Sequence, residues 1–169
     1  MSAYSPGESS ACAEVSRIGF KTSIKLRGSH CVRHTIFLFG EAEKGDFCLP
    51  LICHSLSQLA DMLGNPPGES KGILYAVQAL MCGRDLLFFR VKEEGFSTQD
   101  YMKGLKILQN REISHQLSAI CMPGMGNATI IDATQTVCHL YKSFLIIEEK
   151  DLYDYLTFQP PAQEDTEAS

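Results

Sequence analysis

The chain has no tryptophan, no excess of basic charge, and no apolar run near the ~20 residues that a membrane-spanning helix requires. Its 15 Lys and Arg against 20 Asp and Glu leave a net charge of −5. Without a clustered basic face there is no footprint for phosphates, so nucleic acid is not an expected partner. Short apolar stretches such as Leu86–Phe89 and Phe144–Ile147 suit core strands rather than a bilayer. Residues 1–17, MSAYSPGESSACAEVSR, have neither a basic leader region nor an apolar one, and a cytoplasmic location is expected. A disulfide framework is also missing. The seven cysteines are odd in number, and most sit inside apolar segments, which reads as buried free thiols. Cys48-x4-Cys53 followed by His54 lacks a second close Cys or His pair, so neither a metal nor a cofactor is predicted.

What is present is enough for one domain, since 169 residues with 44% apolar content can enclose a real core. Residues 1–17 read as a loosely ordered segment, 18–158 as the domain, and 159–169 as an acidic, flexible tail. Within the domain, strands and helices alternate. Strands are predicted over 32–39, over 47–53 with Pro50 marking an edge or boundary, and over 85–91, 117–122 and 144–147. Helices are predicted over 55–63 behind a Ser55 cap, over 70–82, from Ser97 or Thr98 through Leu108, over 128–142 and over 151–156. This order predicts an α/β fold, a mostly parallel mixed sheet flanked by helices. The segment before Gly28 and the pair at 32–53 offer an antiparallel edge near the N-terminus.

The stretch most suggestive of chemistry is Cys121-Met-Pro-Gly124-Met-Gly126-Asn127-Ala-Thr129, where a strand ends, turns and enters a helix. Ligands of open α/β sheets bind at such places, because free amide groups and the helix dipole converge there. Yet only two glycines of a G-x-G-x-x-G pattern occur, with Thr129 at the third position, and no P-loop lysine follows. The preferred reading is a structural turn with no catalytic residue. In the alternative, Cys121, Gly124, Gly126, Asn127 and Thr129 bind a nucleotide or other anion, and Cys121 serves a Cys-dependent hydrolase. His139 is the nearest base in sequence, but a helix over 128–142 puts it about 15 Å along the axis from the turn. His34, His54 and His115 reach Cys121 only through tertiary folding. Asp132 is read as a carboxylate in the helix's first turn, Asp85 and Arg90 as solvated strand ends, and the acidic run 148–154 as a solvated turn or one side of a protein interface.

Thr35-Ile-Phe-Leu-Phe-Gly-Glu-Ala-Glu-Lys-Gly45, Leu49-Pro-Leu-Ile-Cys-His-Ser55, Leu59-Ala-Asp-Met-Leu-Gly64, Leu74-Tyr-Ala-Val77 and Phe88-Phe-Arg-Val91 follow one another in an order that resembles the front half of contractile-tail (phage tail) sheath proteins. The segments Tyr101–Leu108, Ala119–Gly124 and Phe144–Ile147 continue the likeness, which covers residues 32 to 150. It implies a reduced form without the family's usual C-terminal portion: a non-enzymatic structural protein that self-associates or packs on a tail or tube component. In that family, extended terminal arms add strands to neighbouring subunits.

Overall fold

A computed structural model describes residues 34–110 and 116–157. Along these residues run β1 (Thr35–Gly40), β2 (Pro50–Cys53), α1 (Leu56–Leu63), α2 (Gly72–Met81), β3 (Asp85–Arg90), α3 (Thr98–Gln109), β4 (Leu117–Cys121), α4 (Ala128–Tyr141), β5 (Phe144–Ile146) and α5 (Glu149–Thr157). The strands form a mixed sheet of order β2-β3-β1-β4-β5. Every neighbouring pair is parallel except β2 on β3. The expected α/β architecture with an antiparallel edge is therefore present. The edge strand β2 pairs with β3 rather than with β1, and β1 lies in the middle. Burial explains this place, because Phe37, Leu38 and Phe39 are at most 1% exposed and demand cover on both faces.

Period-2 alternation divides the sheet's side chains between two cores. Phe37, Phe39, Leu87, Phe89 and Ile120 meet α3 and α4 through Tyr101, Leu105, Leu108, Ile130 and Val137. Leu38, Leu86, Phe88 and Cys121 meet α1 and α2 through Leu59, Leu63, Ile73, Ala76 and Ala79. The aromatic rings of the first core stack closely, with Phe39 4.9 Å from Tyr101 and 5.2 Å from Phe89 between centroids. Cover on the second face is unequal. There α2 packs on β1 and β3, while Phe144 and Ile146 of β5 stay 78% and 44% exposed.

Three local expectations change. The predicted strand over 47–53 begins only at Pro50. Residues 47–49 form a turn in which Cys48 has φ 59 and its amide donates to the Arg90 carbonyl at 3.1 Å. Arg90 imposes that turn: its guanidinium donates to the carbonyls of Gly45 and Glu43 and lies 3.9 Å from the Phe47 ring centroid. Asp132 falls in the second turn of α4, not the first, and its carboxylate accepts from the Tyr155 hydroxyl at 2.9 Å. The last helix starts two residues before the expected 151, where the Asp151 carboxylate accepts from the Glu148 amide at 3.3 Å. The expected loose N-terminal segment, the acidic tail and the other expectations on residues 1–33 and 158–169 lie outside the described residues. Among the described residues no helix is long and apolar enough to cross a membrane.

The carboxyl end of β1 meets the amino end of α2 through two glycines. A Cβ on Gly40 would stand 2.8 Å from the Gly72 Cα and 3.1 Å from the Phe88 ring. Gly40→Ala should therefore destabilise the domain by roughly 1–3 kcal/mol, because backbone must move. At Gly68 an added Cβ meets nothing within 4 Å, and Gly68→Ala should be neutral or stabilising by at most about 1 kcal/mol. Urea denaturation of both variants measures the contrast. Equal midpoints would show that the Gly40–Gly72 approach does not constrain the fold.

Candidate functional site

The winding of the sheet reverses between β3 and β4, so the carboxyl ends of β1 and β4 flank the crevice in which open α/β sheets take ligands. A cleft of about 360 Å³ lies at this end, lined by residues that include Glu41, Ser70, Lys71, Glu94, Phe96 and Glu148. Its chemistry is set by the amides at the start of α2. The N-cap residue Lys71 offers no side-chain acceptor, so the helix needs one from elsewhere. Glu94, just beyond β3, supplies it. Its carboxylate accepts from the Lys71 amide at 2.8 Å, the Gly72 amide at 3.0 Å, the Ser70 hydroxyl at 2.6 Å and the Glu41 amide at 3.2 Å. Glu41 returns the bond, its carboxylate accepting from the Glu94 amide at 2.6 Å. These donors would otherwise cradle a phosphate. A carboxylate of the chain itself holds that position.

The same solution recurs along this edge. The buried Asp151 carboxylate, from the start of α5, accepts from the Glu148 amide at 3.3 Å. Burial raises the Asp151 pKa, and the nearby Glu148 and Gly124 backbone opposes the rise. Asp100 of α3 accepts from the Cys48 thiol at 3.2 Å, the Lys92 amide at 3.2 Å and the Lys103 ammonium at 3.4 Å. Burial pushes the Asp100 carboxyl upward, but these three bonds outweigh it and the pKa lies below the ordinary value. The Gly95 amide donates to the Tyr101 hydroxyl at 2.9 Å.

The Gly-rich stretch brings its five candidate residues to one turn. Gly124 has φ 75, the left-handed conformation a glycine admits freely, whereas Gly126 has no positive φ. Gly126 instead lets α5 approach: a Cβ there would stand 3.1 Å from the Asp154 Cβ and 3.4 Å from the Asp151 carbonyl oxygen. The Asn127 side chain caps α4 by accepting from the Ile130 amide at 3.3 Å. Thr129 is exposed on the first turn of α4. Cys121 is 4% exposed, and burial, with smaller effects from Glu94 and Glu148, pushes its thiol pKa up to about 12. A thiol in that state is a poor nucleophile at neutral pH.

No histidine of the described residues joins Cys121. His34 precedes β1 at the amino end of the sheet, and His54 pairs there with Asp85 at 2.9 Å. The register places Cys121 beside Leu38, three residues further along β1 than the Thr35–Asp85 level, or about 10 Å. His139 is exposed in the last turn of α4, and His115 lies outside the described residues. Asp85 and Arg90, expected as solvated strand ends, are engaged with His54 and with the 43–47 loop. Cys53 and His54 join no cluster of three metal-ligating side chains among the described residues.

Glu94, Glu41 and Asp151 were not singled out as site residues from sequence, since charged residues after strands resemble solvated turns. The legible signal was Ser70-Lys71-Gly72 itself, a helix start whose cap position holds a lysine. No protein-family model matches the chain, and the search of curated proteins finds no match.

Two outcomes follow for this edge. Glu94→Ala removes the acceptor of four donors and should cost about 1–3 kcal/mol in urea denaturation, more than Glu69→Ala at the rim of the same cleft. Equal losses would contradict the role given to Glu94. Iodoacetamide should leave Cys121 unlabelled in the folded protein at pH 6 to 8 and label it on unfolding, as located by mass spectrometry. Selective labelling of Cys121 at pH 6 would overturn its assignment as a core residue.

Proposed function

We propose that this chain is a non-enzymatic assembly protein resembling a contractile-tail sheath domain, which acts by packing against copies of itself or against a tail component. Its place of action on this reading is the cytoplasm, within a phage-tail-like particle. The observation that carries the proposal is a contrast between two parts of the surface. The amides at the start of α2, where an α/β enzyme would present free donors, are bonded to Glu94, and the Glu94 amide is bonded to Glu41. Large apolar side chains lie open elsewhere: Phe144 at 78%, Met81 at 73%, Leu156 at 70% and Tyr153 at 67% exposure.

Single exposed apolar residues are ordinary, but neighbouring ones favour a protein surface as partner. Phe144 and Ile146 share one face of β5, while Tyr153 and Leu156 lie three residues apart on α5. The resemblance in segment order over residues 32–150 supports the same reading. An anion-binding enzyme needs donors left unsatisfied, and at the start of α2 Glu94 engages the Lys71 and Gly72 amides.

Sedimentation velocity of the full chain from about 1 µM to about 1 mM spans associations of roughly −8 to −4 kcal/mol. The proposal expects a sedimentation coefficient that rises with concentration. A monomer throughout that range, together with a melting temperature raised by a nucleotide, would favour the anion-binding alternative.

A further inference from the structure

We infer that two copies of this chain join their β5 strands antiparallel about a two-fold axis through Leu145, extending the sheet across both molecules. This rests on the assembly reading and specifies the surface it uses. Among the described residues β5 pairs only with β4, so its other edge is open. Backbone parity defines what that edge presents. The Met122 amide donates to the Ile146 carbonyl at 2.9 Å, which turns Ile146 and Phe144 toward β4 and the Leu145 N–H and C=O outward.

A two-fold axis at Leu145 makes this residue a hydrogen-bonded pair with its own copy, each amide donating to the other's carbonyl. Phe144 then stands opposite Ile146 of the second copy in a non-hydrogen-bonded pair, where side chains approach most closely. Both are exposed on the face that α2 leaves bare, and the apolar groove of Ile36, Ala119, Phe144 and Ile146 becomes continuous across the junction.

Charge selects the occupant and its direction. The segment Tyr141-Lys142-Ser-Phe-Leu-Ile-Ile-Glu148-Glu149 is basic before the strand and acidic after it. The antiparallel register brings exposed Lys142 to the exposed Glu149 of the second copy, next to Glu148, which is held within its own chain by Lys71 at 2.6 Å. A parallel pairing would set Lys142 against Lys142 and Glu148 against Glu148, which like-charge repulsion disfavours. No ion pair within the chain engages Lys142 among the described residues.

Disulfide trapping tests the register. Phe144→Cys and Ile146→Cys chains, mixed and oxidised, should cross-link through the tryptic peptide 143–150, which contains no native cysteine. Neither variant alone should give that product, since equal positions are diagonal neighbours, near or beyond the reach of a disulfide. Phe144→Lys should weaken association roughly tenfold or more, with an unchanged melting temperature because Phe144 is exposed. A 143–150 cross-link from Phe144→Cys alone would overturn the antiparallel register. A wild type that associates identically to Phe144→Lys would overturn this interface and leave the assembly reading standing. A wild type that never associates would remove both.

Discussion

The Glu94 carboxylate at the start of α2 is the interaction on which the carboxyl edge of this sheet depends. Parallel strands followed by helices leave amides pointing at one edge, and each needs an acceptor. In this chain one carboxylate accepts from Ser70, Lys71, Gly72 and Glu41, and the reciprocal bond from the Glu94 amide to Glu41 ties the ends of β1 and β3 together. The Gly40–Gly72 contact is what brings α2 close enough for this arrangement. Asp151 does the same for the Glu148 amide at the start of α5, and Asp100 for the loop after β3. The acidic balance of the composition thus has a structural use: several of its carboxylates serve as internal acceptors.

Periodicity and turn chemistry made most of the fold legible. Ser55 is the cap it was read as, accepting from the Gln58 amide, and the strands at 85, 117 and 144 occur where apolar runs indicate. Pro50 opens the antiparallel edge strand, as a residue without an amide donor should. Long-range demands were less legible. Nothing local to Phe47-Cys-Leu49 says that Arg90 will fold it into a turn, and Asp132's partner Tyr155 is 23 residues away. At the Gly-rich stretch the residue types alone fit either a cradle or a turn. The difference lies in Asp151, whose approach depends on how α5 packs against Gly126.

The sheet is covered unevenly. Helices α3 and α4 close one face around the Phe37–Phe39–Phe89 cluster, while α1 and α2 close only the β2, β3 and β1 part of the other. Apolar surface that the chain does not cover itself gains from covering by another chain, at roughly 25 cal/mol per Å² before the costs of association. One edge strand of the sheet begins with a proline, and the other edge ends in a short apolar strand.

The central claim is that the amides at the start of α2 have their acceptor in the chain's own Glu94. Amide chemical shifts of the full chain, followed by NMR through titrations with inorganic phosphate and with a nucleoside triphosphate, address it residue by residue. The account predicts that the amides of Glu41, Lys71 and Gly72 keep their shifts throughout both titrations. Saturable movement of the Lys71 or Gly72 amides would show a ligand displacing Glu94 and would contradict the account.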